Sequence, residues 1–387
     1  MGDATPGTGC AATPEGVQRP PEVGSNPRTW ARPTLAWGTP SGLFETRWET
    51  GPFLRTVRAR RWDVMRSPIL PAVAFRISRA LLQALALASA LMVLSMLPGC
   101  ASAPPADEPL ETRYPAPQRV VAIGDLHGDM EATRGALRMA GAIDGRDRWI
   151  GGDLVVVQTG DVLDRGDDED AIIGLLERLD REARSQGGAV HALNGNHELM
   201  NAYLDFRYVT PGGFADFPAG GPPDPADSLL VSLEPGQRGR AEAFRPGGSM
   251  ALRMARRNTA VIVGSSVFVH GGILPEHVEW GLDAMNEAVR AWLRGEIPQP
   301  EWIRGDLSPV WTRLYSDSPD AAACDVLDSV LDGLGVQRMV VGHTVQGTGI
   351  TAFCGGRVWA IDVGLASHYG GRTEVLEIRG DVVRGLR

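Results

Sequence analysis

The 387-residue chain contains no lysine; all 38 of its Lys-plus-Arg cations are arginine. We read this as coding bias, without functional content. Cysteine is nearly as scarce, at Cys10, Cys100, Cys324 and Cys354. A thiolate that attacks phosphate esters needs an arginine six residues after the cysteine. Val330 follows Cys324 at that spacing and Ala360 follows Cys354, so this chemistry is excluded. The body of the chain also lacks a basic excess. The first 100 residues carry 11 arginines and 6 acids, whereas the remainder carries 27 arginines and 41 acids. An acidic body argues against nucleic acid as a partner, because phosphate backbones bind basic faces. No internal repeat is present. What remains, 43% hydrophobic and 22% charged, suits a globular chain with a sizeable core.

The front of the chain reads as an address. Residues 1–64 are rich in Pro, Gly and Arg and show no sustained periodicity, so they are expected to be disordered or to precede the true start at Met65. Arg66, Arg76 and Arg79 then form a basic region. Ala80 to Leu97 follows as an apolar run broken only by Gln83, Ser89 and Ser95. It ends at Leu97-Pro98-Gly99-Cys100. Residues 65–100 therefore read as a secretory signal. Its last four residues resemble a bacterial lipobox, which would make Cys100 the lipidated residue. An uncleaved membrane anchor is the other reading, since the run is close to the ~18 residues that a span needs. Both readings export the body to the periplasmic or cell-surface side and tether it to a membrane. Residues 101–118, rich in Ala and Pro, read as a stiff tether. In an oxidising compartment Cys324 and Cys354 can pair; two buried free thiols are the alternative, because sequence gives no Cα separation.

Residues 119–387 read as one domain. Short β-branched runs are expected as strands at Val120–Ile123, Leu154–Gln158, Ala189–Leu193, Ala260–Val263, Val267–Val269 and Arg338–Val341. Helical patterns lie between them at Met130–Ala140, Asp170–Ser185, Leu282–Leu293 and Ala323–Leu334. This alternation predicts a layered α/β fold. The last 40 residues read as successive hairpins turning at Gly355-Gly356 and Gly380-Asp381, and so as a second, antiparallel or mixed sheet. The Gly/Pro-rich stretch from Pro211 to Pro246 reads as a long loop, functional or disordered.

Polar residues cluster just past five of the apolar runs: Gly124-Asp125-Leu126-His127-Gly128, Gly160-Asp161-Val162-Leu163-Asp164-Arg165-Gly166, Gly195-Asn196-His197-Glu198, His270-Gly271-Gly272 and Gly342-His343-Thr344. Sites in α/β sheets form at the carboxyl ends of strands. Asp125, His127, Asp161, Asn196, His270 and His343 are hard-oxygen and imidazole ligands, a set suited to Mn, Fe or Zn. Two such ions bridged by one carboxylate would activate a water and clamp both the attacking and the leaving oxygen. His191, His277 and His368 lack such a setting and read as structural or surface residues.

These five blocks, in this order, resemble the calcineurin-like metallophosphoesterases. Asp164-Arg165 and Asn196-His197-Glu198 are similar to the phosphoprotein phosphatase branch. Asp205-Phe206-Arg207-Tyr208-Val209-Thr210-Pro211, Pro309-Val310-Trp311-Thr312-Arg313-Leu314-Tyr315 and Ile361-Asp362-Val363-Gly364 resemble the Shewanella-like protein phosphatases. The resemblance covers about residues 119–385. It implies a layered sandwich of two mixed β-sheets flanked by helices. It further implies one metal on Asp125, His127 and Asp161, and a second on Asp161, Asn196, His270 and His343, with Asp161 bridging. His197 would be the general acid, oriented by Asp164. Arg165 and Arg313 would hold the substrate phosphate. Two departures stand out. Asp167-Asp168-Glu169-Asp170 is an acidic run that either repels acidic phosphopeptides or begins a charged helix. The Ser-Ala-Pro-Asn-Tyr-Cys run of eukaryotic Ser/Thr enzymes is absent, so their toxin sensitivity and phosphoserine/phosphothreonine preference do not carry over.

The expected activity is a dinuclear-metal phosphomonoesterase acting by direct attack of a metal-bound hydroxide, with phosphoprotein (phosphotyrosine or phosphoserine/threonine) or a small phosphoester as substrate. The alternatives are a nucleotide or dinucleoside-polyphosphate hydrolase, against which the acidic body and the absence of a base-stacking motif count, and a non-catalytic surface lipoprotein. The oligomeric state stays open.

Overall fold

The structure is a computed structural model that describes residues 110–387. The segment 1–64, the signal segment 65–100 with Cys100, and the tether as far as residue 109 lie outside the described residues.

Short runs of Val, Ile and Ala make the centre of the molecule. Strands β1 (Arg113–Tyr114), β2 (Val120–Ile123), β3 (Val155–Gln158), β4 (Ala189–Ala192), β5 (Ala260–Val263), β6 (Ser266–Val269), β7 (Arg338–Val341), β8 (Thr351–Phe353), β9 (Val358–Ala360), β10 (Val375–Arg379) and β11 (Val382–Leu386) form two mixed sheets. The five-stranded sheet has the order β11-β10-β2-β3-β4, and the six-stranded sheet β1-β5-β6-β7-β9-β8. Helices α1 (Met130–Met139), α2 (Glu169–Arg184), α3 (Asn196–Ala202), α4 (Pro211–Ala215), α5 (Ser228–Ser232), α6 (Arg238–Phe244), α7 (Ser249–Met254), α8 (Pro275–Trp280), α9 (Leu282–Leu293) and α10 (Ala321–Leu334) connect and cover them.

The pleat decides the layering. Successive side chains on a strand point to opposite faces, and every residue of β2, β5, β6 and β7 is buried, so both faces are covered. Val120 and Ala122 of β2, Val261 and Val263 of β5, Phe268 and Val340 share one cluster between the sheets. Their neighbours Val121, Ile123 and Val156 pack outward against Leu137, Ile172, Leu176 and Leu179 of α1 and α2. Ala260, Ile262, Val267, Val269 and Val341 pack outward against Leu282, Met285, Leu327 and Leu331 of α9 and α10. Each such buried aliphatic side chain contributes about 1.5–3 kcal/mol relative to exposure. The result is a helix–sheet–sheet–helix sandwich, as expected from the sequence.

Three local expectations need correction. The terminal hairpins do not make a sheet of their own. β8 and β9 extend the six-stranded sheet through a parallel β7–β9 pairing, while β10 joins the five-stranded sheet antiparallel to β2. A hairpin turn fixes only its own two strands; the third partner is set by non-local burial. The stretch 211–246 is not a plain loop but carries α4, α5 and α6, and the Thr210 and Asp227 side chains cap the first two. Within the expected tether, β1 pairs parallel with β5, so ordered structure begins before Arg119.

Candidate active site

All of the ligand-type residues follow the carboxyl ends of strands. Asp125 and His127 follow β2, Asp161 follows β3, and Asn196 lies past β4. From the other sheet, His270 follows β6 and His343 follows β7. Each sheet therefore delivers part of one pocket. The approach is close: a Cβ at Gly195 would strike Asp161 Oδ1, and one at Gly342 would strike Asp125 Oδ1. His127, Asp161, Asp164, Arg165 and His343 all have positive φ, at 45°, 57°, 67°, 69° and 67°. Non-glycine residues there are strained, a feature that gathers at functional sites and persists only where surrounding bonds hold it.

Those bonds are visible. The buried Glu198 carboxylate accepts four backbone N–H groups, from Asp161 (2.8 Å), Val162 (2.8 Å), Leu163 (3.3 Å) and Gly195 (2.7 Å), and so ties the β3 and β4 loops together. Three imidazoles are fixed by backbone carbonyls, which only accept. His127 Nδ1–H donates to Leu163 O (3.0 Å), His270 Nδ1–H to Thr159 O (3.0 Å) and His343 Nε2–H to Trp311 O (3.1 Å). The opposite ring nitrogens are then the ones presented to the pocket.

Those inner atoms crowd together. His270 Nε2 lies 2.7 Å from Asn196 Oδ1, 3.1 Å from His343 Nδ1 and 3.2 Å from Asp161 Oδ2. His127 Nε2 is 3.9 Å from both Asp125 Oδ2 and Asp161 Oδ2. Burial, then the neighbouring His197, pushes His127 down to about 3. Burial, then His270, pushes His343 down to about 2, so both stay neutral at ordinary pH. Burial also opposes a charge on His270, but Asp161 and Asp125 outweigh it and raise it to about 9. Asp125 is raised by burial and by the nearby Asp362, whereas Asp161 is lowered against its burial by His270 and His197. The pocket thus draws positive charge strongly. One proton on His270 Nε2 cannot satisfy three acceptors at once; a metal cation can. The donor set fits metal ions on this ground, and among the described residues Asp161 belongs to both triplets able to hold one, His127/Asp161/His197 and Asp161/His270/His343.

A cavity of about 330 Å³ opens on this cluster and is lined also by His197, Arg165 and Arg313. His197 Nδ1 lies 2.5 Å from Asp164 Oδ2. The Arg165 guanidinium stacks 4.6 Å from the Tyr208 ring and 5.0 Å from the Tyr369 ring, and its buried Nε has no hydrogen-bond partner among the described residues. Arg313 is anchored through Nη1 to His343 O (2.8 Å) and Thr344 Oγ1 (2.9 Å). All the expected site residues among the described ones thus meet at one place.

Several others there were not assigned from sequence. Glu198, Tyr208, Trp311 and Asp362 lie within the motifs quoted above, so a signal for them existed. Tyr369 and Arg240 had none. Arg240, fully buried, donates to both Glu169 oxygens (2.5 and 3.0 Å) and to Asn201 Oδ1 (2.8 Å), while Asn201 donates to Asp164 Oδ1 (3.0 Å). Of the acidic run 167–170, Glu169 therefore faces inward as part of the support under His197. The three remaining histidines have other work. His191 packs at a tilt against Tyr114 (4.3 Å), His277 Nδ1 accepts from Leu274 N (3.0 Å) at the start of α8, and His368 is exposed.

Residues 118–347 match the calcineurin-like phosphoesterase family. The chain is 43% identical over 307 residues to Shewanella-like protein phosphatase 2 of Arabidopsis thaliana, covering 71% of this chain and 78% of that protein. It is 28% identical over 264 residues to Shewanella-like protein phosphatase 1 of Plasmodium berghei, covering 65% and 69%. Among solved structures, the cold-active protein-tyrosine phosphatase of a psychrophilic Shewanella species superposes with a TM-score of 0.58 at 25% identity, covering 72% of this chain and 83% of that one. With a metal-ligand pocket on the matching fold, the chain belongs to the calcineurin-like phosphoesterases as a homologue of the Shewanella-like protein phosphatases, and it is a metal-dependent phosphatase.

Proposed function

We propose that the pocket holds two metal ions and hydrolyses phosphomonoesters on protein side chains, phosphotyrosine foremost. The observation that carries this reading is that Asp161 faces His127 on one side and His270 with His343 on the other, with His197 and Arg165 on the same cavity. Asp125, His127 and Asp161 would hold one ion, and Asp161, Asn196, His270 and His343 the other. Bound there, the ions supply Lewis-acid activation of water and neutralise phosphate charge. The chain's own residues do the rest. Arg165, clamped between two tyrosine rings, offers its guanidinium to the phosphate oxygens, and such forks suit phosphate geometry. Arg313 sets a second guanidinium on the cavity. His197 donates a proton from Nε2 to the leaving oxygen while Asp164 keeps Nδ1–H oriented. Tyr208, Trp311 and Tyr369 give the cavity aromatic walls that favour a phenyl phosphate. One relative of known structure is itself named a protein-tyrosine phosphatase.

The test compares turnover of phosphotyrosine, phosphoserine and phosphothreonine peptides and of dinucleoside tetraphosphate, with Mn, Fe and Zn supplied in turn. Phosphotyrosine peptide should lead, and Asp161→Asn should lose both metals together with activity. Faster turnover of the dinucleotide would move the assignment to nucleotide hydrolysis. For location, we propose an exported, membrane-tethered enzyme. The Cys324–Cys354 disulfide supports an oxidising compartment. Mass spectrometry of the membrane-extracted chain showing Cys100 internal and unmodified would reject lipidation there.

A further inference from the structure

A second cavity, of about 320 Å³, shares no lining residue with the catalytic one. It lies where α2, β4, β1 and the turn after α7 meet, and five arginines line it against two carboxylates. Both carboxylates are already engaged. Glu177 receives Arg253 through both oxygens (2.9 and 3.0 Å). Asp180 accepts from Arg184 Nε (2.8 Å) and from Val190 N (3.0 Å).

Arg257, on this cavity, is only 7% exposed, and its Nη1 and Nη2 are buried with no hydrogen-bond partner among the described residues. The other carboxylate it senses, Glu198, already carries four backbone N–H bonds. A buried guanidinium left so costs several kcal/mol unless an anion meets it. Arg181, exposed, adds positive charge to the same wall. The Tyr114 and His191 rings, 4.3 Å apart and tilted by 39°, form an apolar part of the wall.

We propose that this cavity is a binding site for a small oxyanion, received by the Arg257 guanidinium and distinct from the catalytic pocket. The carboxylate, phosphate or sulfate group of the ligand provides the acceptors that the fold does not, and an apolar remainder lies against the Tyr114–His191 wall.

Sulfate is the probe. Thermal unfolding of the metal-loaded full chain is followed as sulfate replaces chloride at constant ionic strength. Wild type should show a saturable rise in Tm. Arg165→Gln and Arg313→Gln, altered at the catalytic cavity, should keep that response. Arg257→Gln should need about tenfold or more sulfate, the loss of one charge-assisted pair. Equal sulfate responses in wild type and Arg257→Gln would overturn the site. So would a response that appears only after Asp107→Asn and Glu108→Gln, because the chain's own carboxylates would then be the occupant. Should Arg257→Gln not fold, wild-type crystals soaked in selenate decide: an anomalous peak at hydrogen-bond distance from Arg257 Nη1 or Nη2 supports the site, and peaks confined to Arg165 and Arg313 reject it.

Discussion

His197 Nδ1 stands 2.5 Å from Asp164 Oδ2, and both side chains are buried. Asp164 fixes the ring proton at Nδ1 and leaves Nε2 on the pocket side, 3.7 Å from Asp161 Oδ2. Burial works against a charged imidazole here, yet Asp161 and then Asp164 outweigh it, so the pKa of His197 is raised. The Asp164 contact favours a proton on this ring, the state a general acid needs.

His197→Asn separates that role from metal binding, since His197 also lies within reach of a metal held by His127 and Asp161. We expect metal content to be unchanged and kcat on phosphotyrosine peptide to fall by about 10²–10⁴-fold. An activated aryl phosphate, whose leaving group needs little protonation, should lose far less. Loss of metal in elemental analysis would make His197 a ligand instead.

Arg240→Leu tests the support beneath this pair. Arg240 is the cation against Glu169, which burial pushes toward the neutral form despite that partner. Removing it leaves a buried carboxylate uncompensated, at a cost of about 3–5 kcal/mol. Urea unfolding should show this loss, and the double substitution Arg240→Leu/Glu169→Leu should recover much of it. A single-variant loss under about 1 kcal/mol would mean that the ion pair is not a structural tie.

Much of this was legible in the sequence, for a local reason. Val120–Ile123, Ala260–Val263, Arg338–Val341 and Leu282–Leu293 have the expected bounds because β-branched runs stopped by glycine, and apolar residues at helical spacing, are signals carried by neighbouring residues. The meeting of Asp125, Asp161, Asn196, His270 and His343 was legible because each follows such a run. What depended on distant partners was not. β10 reaches across the chain to pair Leu376 with Ala122, and no turn signal reports that. Arg240 sits in a Gly/Pro-rich stretch with no pattern of its own, and only the tertiary fold brings it to Glu169.

The five-stranded sheet has an acid-sensitive tie. Glu377 on β10, 3% exposed, bonds Arg119 (2.6 Å) ahead of β2, and Arg384 (2.7 Å) on the neighbouring β11. Burial alone would raise its pKa, but Arg119 and Arg384 bring it down to about 2 from an ordinary 4.5. Because the folded value is the lower one, the stabilisation is full above the ordinary value and disappears as pH falls toward about 2. Glu377→Gln should therefore be less stable than wild type at pH 7 by on the order of 1 kcal/mol, the arginines being partly solvated. Urea midpoints measured at falling pH should converge. A gap independent of pH would show that the substitution acts through packing instead.

Cys324 on α10 and Cys354 just after β8 are joined with a Cα separation of 5.4 Å across 30 residues. Closing a loop of that length removes unfolded-state entropy equivalent to roughly 3–4 kcal/mol. The loop contains β7 and the His343 that follows it, which suggests that the bond positions that residue directly. The sheet argues otherwise: β7 lies between β6 and β9 and is held in parallel register on both edges. We expect Cys324→Ser/Cys354→Ser to lose about 2–4 kcal/mol in urea unfolding while kcat stays near wild type below the lowered Tm. Loss of activity with circular dichroism unchanged would show that the disulfide, and not the sheet, holds His343 in place.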